Sequence, residues 1–266
     1  MSAVELTGVS KIFNKGEGNQ VDALIDIDLS IAAGEVVSLI GPSGCGKSTL
    51  LRLIANLIEP TGGSITVNGK SSKQARLDQD YGMAFQQSGL FEWRSVAKNI
   101  ELPLELKGWN STKRRERALE MLDLVKLSDF ADHFPWQLSG GMQQRVAIAR
   151  ALAVHPALLL MDEPFGALDE MTREHMQSEL LSICRKAGTT VVFVTHSIPE
   201  AVYLSNRVVV MSPRPGRITD IVDVEITGDR SDSTRDDKAF FAGISAVRAA
   251  LRGVELESVA RGIEDR

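Results

Sequence analysis

Gly41-Pro42-Ser43-Gly44-Cys45-Gly46-Lys47-Ser48-Thr49 fits the pattern G-x-x-x-x-G-K-[S/T], directly after the apolar run "EVVSLI" and before "LLRLIANLI". Strand before and helix after is the setting in which such a loop wraps a phosphate with its backbone N–H groups. Lys47 then adds a point charge at the β- and γ-phosphates, and the Ser48 hydroxyl is placed to ligate Mg²⁺. The alternative is a glycine-rich turn with a solvated lysine, which the flanking elements disfavour. Such a loop calls for an acid at the end of another hydrophobic strand, and "ALLLMDEP" supplies two. Asp162 would hold the metal through water, and Glu163 is placed to orient or deprotonate an attacking water. Taken alone, adjacent acids could equally be a polar strand terminus. His196 closes "TTVVFVTH". A histidine after a buried strand is commonly structural, yet a strand end on the ligand-binding edge of an α/β sheet would let it reach a γ-phosphate. Gln86, after "GMAF", is ambiguous by itself.

A second phosphate-like device stands at "QLSGGMQQRVAIARAL", residues 137–152. Ser139 can cap a helix whose apolar positions include Val146, Ile148, Ala149, Leu152 and Ala153. Gly140 and Gly141 would bare the first-turn N–H groups, where the helix dipole favours an anion. Met142 stands where a full capping box needs Glu or Gln. One nucleotide does not need two such cradles on one chain.

The elements that would position these groups can be read from patterning. The opening runs "AVELTGVSKIF", "DALIDIDLSI", "EVVSLI" and "GSITVNG", with turn signals at Gly16–Glu17–Gly18 and Asn68–Gly69, predict antiparallel pairing. From "YGMAF" (81–85) to Pro135 the pattern is mostly helical; "KRRERALEMLDLV" places Ala118, Leu122 and Val125 on one face with Leu119 beside them. "ALLLMD", "TTVVFVTH" and "RVVVMS" are continuous apolar runs separated by helical segments, as in parallel strands covered on both faces. Past Ser212, "PRPGRITDIVDVEI" is punctuated and then alternates like a strand. "TGDRSDSTRDDK" is expected to be a solvated connector. "AFFAGISAVRAALRG" aligns Phe240, Ile244, Val247 and Leu251 as the packing stripe of a helix, and the last dozen residues are expected to fray.

Composition bounds the function. The chain has 266 residues, 43% hydrophobic and 24% charged, with net charge −5, which argues against a protein whose whole surface grips nucleic acid and leaves room for a local basic patch. Cys45 and Cys184 lack metal-type spacing and are read as reduced thiols of a cytoplasmic protein. The N-terminal stretch has no apolar signal core, and no window reaches the roughly eighteen apolar residues of a membrane span. A membrane process served by this chain would need another chain to do the spanning. His133, His155 and His175 lack a chemical setting.

Kinases and small GTPases have a phosphate loop and an acidic strand end, but not "LSGGMQQ". Here the sequence resembles the ATP-binding subunits of ABC transporters, in the expected order from about residue 4 to residue 226. The resemblance implies an α/β P-loop NTPase fold with a central, mostly parallel sheet, an N-terminal antiparallel β subdomain and an inserted helical subdomain at about 87–155. The ATPase domain would occupy 1–212 and a C-terminal extension 213–266. Phe13 takes the place of the aromatic that stacks on adenine. Gly41 to Thr49 bind the phosphates of ATP, and Ser48, Gln86 and Asp162 attend Mg²⁺. Ser139, Gly140, Gly141 and Gln143 carry γ-phosphate contacts, Asp169 of "GALD" belongs to the loop that crosses between subunits, and Lys47, Glu163 and His196 are catalytic. The second cradle then has an explanation. In the family two copies dimerise head to tail, each signature completing the ATP held by the other copy's loop, and all the half-site residues are present here.

"MDEPFGALDEMTR", "QQSGLFEWRSVAKNI" and "MSPRPGRITDIVDVEI" look most like the nitrate/sulfonate/taurine importer group, which also includes importers of other small organics. Two departures are Glu92, where the group has Pro before the Trp, and Trp136, in place of a common His. The resemblance implies integral membrane permease subunits as partners, a periplasmic or extracellular solute-binding protein acting indirectly, no nucleic acid, and a peripheral place on the cytoplasmic face of the inner membrane. Phe91, Trp93 and Arg94 read either as core packing or as a groove for a permease helix. The competing functions are an exporter ATPase and a soluble, non-transport ABC ATPase. The transported solute never touches such a chain, so its residues do not specify it.

Overall fold

The computed structural model describes residues 2–16, 18–226, 228 and 230–264. Of the predicted turns, the one at Gly16–Glu17–Gly18 has its middle residue outside that set. The chain forms two compact units, one running from Asp80 to Thr189 and the other built from the chain on either side of it.

The first unit opens with β1 (Ser2–Phe13) and β2 (Val21–Ala32), then β3 (Val36–Ile40), α1 (Lys47–Ile54), β4 (Gly62–Val67), the two-residue β5 (Lys70–Ser71) and α2 (Ser72–Leu77). β2, β1, β4 and β5 make an antiparallel sheet in that order. Alternation explains its one-sided burial, since Val4, Leu6, Leu29 and Ile31 face inward between exposed Glu5 and Ser30. "EVVSLI" departs from the antiparallel expectation. All five residues of β3 are buried, and a strand covered on both faces belongs in a parallel sheet.

The second unit holds β6 (Tyr81–Ala84), α3 (Val96–Leu106), α4 (Ser111–Leu124), α5 (Gly140–Leu152), β7 (Leu158–Asp162) and α6 (Glu170–Ala187). β6 and β7 pair in parallel. Each helix starts where a side chain accepts a first-turn N–H: Ser95 for α3, Asn110 for α4, Ser139 for α5 and Asp169 for α6. α6 stops at Gly188, whose φ of 64° is the left-handed C-terminal turn that glycine adopts without cost. On α4, Ala118, Leu122 and Val125 are buried as patterned, but Leu119 is 40% exposed. It stands one residue, hence about a hundred degrees, off the buried stripe.

The chain then returns to the first unit with β8 (Thr190–Val194), α7 (Ile198–Leu204), β9 (Arg207–Met211), β10 (Ile218–Asp223) and α8 (Lys238–Glu264). β3 pairs in parallel with β8 on one side and β9 on the other, and β10 closes that edge antiparallel to β9. Phe240, Ile244 and Val247 are buried on α8, as the stripe predicted. The helix continues to Glu264, through most of the stretch expected to fray.

The presumed solvated connector is not solvated throughout. Arg230 is buried, and its guanidinium donates to the Val202 and Tyr203 carbonyls in the last turn of α7, at 3.3 and 2.5 Å. Arg235 lies 3.7 Å over the Tyr203 ring. A cation that satisfies helix-end carbonyls can be buried at tolerable cost, which polarity counting along the chain does not register. Arg230→Ala is expected to destabilise the fold by about 1–3 kcal/mol. The check is a lower denaturation midpoint at unchanged slope, with nucleotide affinity retained.

Both thiols are free and buried, and burial pushes the Cys184 thiol up to about 12.

Candidate functional site

In the first unit, β3 delivers the chain at Gly41 into the loop that ends at α1. Gly41 and Gly46 are the positions where no other residue fits. A Cβ on Gly41 would stand 2.7 Å from the Met211 carbonyl oxygen, and one on Gly46, at φ +102°, would stand 2.7 Å from Leu24 Cδ2. Lys47 is 5% exposed, and its ammonium donates to the Gly41 and Pro42 carbonyls, both at 2.8 Å, holding the loop closed on itself. Ser43 and Gly44 are exposed, Cys45 is buried, and Pro42, Ser48 and Thr49 are half-buried. Phe13 is 37% exposed, with the Lys11 ammonium 5.1 Å above its ring. His196, one residue past Thr195, is exposed.

The same loop has a brace that sequence reasoning missed. Gly216 N–H donates to the Ala23 carbonyl and Ile25 N–H to the Gly216 carbonyl, both at 3.0 Å. A Cβ on Gly216 would fall 2.0 Å from the Cys45 carbonyl oxygen. Arg214 donates to the Gly44 carbonyl at 3.4 Å. "PRPGR" was legible as a punctuated step, but nothing along the chain says that it folds against a loop 170 residues earlier.

In the second unit, β7 ends at Asp162, only 4% exposed. Glu163 follows at φ 49°, a left-handed conformation rare for a residue with a Cβ, which turns the chain sharply off the strand. Gln86 donates its amide N–H to the Glu163 carboxylate at 3.0 Å, so two sequence candidates 77 residues apart meet.

The Ser139 hydroxyl accepts the Met142 N–H at 3.3 Å, the predicted cap. Ser139 and Gly140 are exposed, and a Cβ on Gly140 would meet nothing within 4 Å, so the first turn of α5 is open to approach. Gly141 packs against the "GALD" loop, where an added Cβ would lie 3.2 Å from the Ala167 carbonyl oxygen. Arg173 holds that loop through the Phe165 and Leu168 carbonyls, and Asp169 accepts the Thr172 N–H at 3.0 Å. That backbone bond holds the Asp169 carboxyl below its ordinary value.

Gln143 is spent within its own unit: it donates to the Pro135 carbonyl at 2.9 Å and accepts from Ser88 at 3.2 Å. Gln144 and Arg150, neither singled out from sequence, also tie α5 to the loop around Gln86. Gln144 donates to the Phe85 carbonyl at 3.0 Å, and Arg150 to the Ser88 and Gly89 carbonyls at 2.8 Å each. The two are six residues, hence about 120° of rotation, apart on α5, and only the tertiary contact shows which backbone each grips.

Elsewhere on this unit a cavity of about 280 Å³ is lined by Met83, Phe91, Leu102, Pro103, Leu106 and Arg150. Phe91 supports Trp93, ring centroids 4.8 Å apart, and Trp93 is 72% exposed. Asn99 pins the turn beneath them by accepting the Phe91 N–H and donating to the Phe91, Arg94 and Ser95 carbonyls. Of the two readings of this aromatic group, Phe91 serves packing and Trp93 is presented to the surface. Trp136 is 62% exposed and stacked on Phe134 at 4.6 Å.

Residues 24–166 match the ABC transporter family. The ABC transporter ATP-binding protein MJ0412 of Methanocaldococcus jannaschii is 51% identical over 223 residues, 84% of this chain and 82% of that protein. The taurine import ATP-binding protein TauB of Roseobacter denitrificans is 45% identical over 218 residues, 82% and 81% of the two chains. Among solved structures, a dimeric post-hydrolysis state of the ATP-binding cassette MJ0796 bound to ADP and Pi superimposes with a TM-score of 0.77 at 37% identity, covering 84% of this chain and all of that one.

Proposed function

The chain belongs to the ABC transporter family, as one of its ATP-hydrolysing subunits, and from that premise we propose that it powers a bacterial importer of a small solute as a head-to-tail pair of copies. The observation that carries the pairing is the presence of two anion-ready devices in separate compact units. One is the loop closed by Lys47, and the other is the Ser139-capped, glycine-opened start of α5. Each copy would offer its α5 terminus to the γ-phosphate of the ATP held by its partner's loop. Charge-assisted bonds that exist only while the third phosphate is present make that contact conditional on ATP. The dimeric cassette to which this chain is similar supports the arrangement.

Within each site, Phe13 stacks on the base, the N–H groups from Gly41 to Thr49 wrap the phosphates, and Lys47 neutralises charge on the β- and γ-phosphates. Glu163 takes a proton from the water that attacks the γ-phosphorus, and the bond to the β-phosphate oxygen breaks to give ADP and phosphate. His196 contacts the γ-phosphate from the strand end beyond β8, and Asp169 supports the contact between copies. Ser48, Gln86 and Asp162 offer hydroxyl, carboxamide and carboxylate oxygens, the hard donors that suit Mg²⁺, and Gln86 keeps its carbonyl oxygen while its amide N–H serves Glu163. Bound there, the ion supplies neutralisation of phosphate charge.

The exposed Trp93 and the cavity beside it suit the docking of an integral permease subunit. No helix among the described residues is long and apolar enough to cross a membrane. On its likeness to import ATP-binding proteins, the reading puts the protein on the cytoplasmic face of the inner membrane, bound to permease chains, with a solute-binding protein acting on the far side. Resemblance to taurine import proteins supports a sulfonate-like or related small solute.

Ser139→Arg tests the pairing. It should spare ATP binding by the single chain, abolish ATP-dependent doubling of mass, and lower turnover at least tenfold. Normal turnover by this variant would refute the composite site.

A further inference from the structure

His196 stands in a backbone arrangement more elaborate than a strand end requires. Thr195 N–H donates to the Leu39 carbonyl at 3.2 Å, so it extends the pairing of β8 with β3 to a point two residues before Gly41. The strand that delivers the phosphate loop therefore also registers the residue before His196. α7 begins two residues after His196, with Ser197 as its cap; the Ser197 hydroxyl accepts the Glu200 N–H at 3.3 Å.

In a reciprocal cap the acid at the third helical position takes the cap residue's N–H. Here that N–H goes instead to the Thr195 hydroxyl oxygen, at 3.0 Å. Thr195 in turn donates its hydroxyl proton to the Glu200 carboxylate. Thr195 and Glu200 are buried, at 2% and 8% exposure, while His196 between them in the chain is exposed. A helix start needs no such arrangement, because Ser197 alone caps it, and a carboxylate taken out of water is costly unless its bonds do something. What these bonds do is fix the His196–Ser197 peptide through the Ser197 N–H and tie the Thr195 side chain, just before His196, to the start of α7.

We propose that Glu200 is a positioning residue for His196, setting through Thr195 and Ser197 the direction in which the imidazole meets the γ-phosphate. This rests on the role given to His196 above.

The test uses the full chain and the variants Glu200→Ala, Glu200→Gln, Thr195→Val and His196→Ala, with kcat and KM for ATP and the imidazole NMR resonances of its four histidines as readouts. Glu200→Ala should lower kcat tenfold or more with KM and nucleotide affinity within twofold. The His196 resonance should shift and broaden while those of His133, His155 and His175 hold. Glu200→Gln, whose amide oxygen still accepts the Thr195 hydroxyl, should stay within about threefold of the parent. Thr195→Val should behave as Glu200→Ala does, and carries the test if the latter fails to fold. Adding Glu200→Ala to His196→Ala should cost nothing further.

Parental kcat in Glu200→Ala beside an inactive His196→Ala would overturn the proposal and leave the reading of His196 standing. Parental kcat in His196→Ala would overturn that reading and the proposal with it. A fall in Glu200→Ala accompanied by raised KM and movement of all four resonances would assign Glu200 a merely structural role and overturn the proposal.

Discussion

Glu163→Gln is expected to lose at least about a hundredfold in turnover while still binding ATP, and to accumulate as an ATP-bound dimer. The size follows from removing a general base, which contributes roughly 10²–10⁴ to rate. The geometry favours a clean effect. Gln86 donates to the Glu163 carboxylate at 3.0 Å, and an amide oxygen in its place accepts the same bond, so the left-handed turn at residue 163 has no reason to relax. Proton abstraction is lost and shape is kept. Because the γ-phosphate would then persist, the contacts proposed for it with the α5 terminus of a second copy would persist too. Mass in solution, measured with and without ATP, checks this: doubling on ATP addition is the expected result, and a variant that stays monomeric with ATP contradicts the composite site.

Lys47→Ala is expected to weaken ATP binding itself by roughly ten- to a hundredfold, the equivalent of the 1.5–3 kcal/mol carried by a charged hydrogen bond. It removes the positive charge intended for the β- and γ-phosphates and also the two bonds by which the ammonium closes the loop on the Gly41 and Pro42 carbonyls. Calorimetric titration with ATP would measure the loss, and a thermal melt would separate it from unfolding. Unchanged affinity would remove Lys47 from the site. The contrast with Glu163→Gln is the useful one: one variant binds ATP weakly, the other binds it and fails to release.

The two variants also differ in how visible their residues were. Lys47 sits in a motif whose spacing is local, because consecutive residues of one loop must wrap one phosphate group. The Glu163 assignment needed a partner motif, and its contact with Gln86 joins residues 77 apart. "LSGGMQQ" announced a capped helix start, and Ser139 caps it. Yet the commitment of Gln143 to Ser88 and Pro135 is a matter of which loop lies over α5, which its own neighbours in sequence do not encode.

The fold divides along the same line. Continuous apolar runs identified the strands, because a strand buried on both faces must be apolar at every position. They did not identify the neighbours of "EVVSLI", which joins β8 and β9 in parallel although its place among the opening runs predicts antiparallel pairing. Pairing partners are chosen by topology, and the side chains of a fully buried strand carry no facial pattern to betray them. The polar connector after β10 failed for a related reason. Arg230 stands in a polar, charged stretch and so reads as a surface residue, whereas the carbonyls that accept its protons belong to the end of α7, more than 25 positions earlier in the chain.

By itself, then, the sequence determined the local devices on which the proposed chemistry rests: a glycine-rich loop ending in Lys47 and Ser48, an acidic strand end and a capped, glycine-opened helix start. Each is a local device whose backbone geometry follows from a few adjacent residues. Only the tertiary structure decided how those devices are held: Arg214 and Gly216 against the phosphate loop, Gln144 and Arg150 on the loop around Gln86, and Thr195 and Glu200 about His196. These bonds join side chains to backbone groups on other elements, or close across a helix start, and their energies depend on where the fold brings each acceptor.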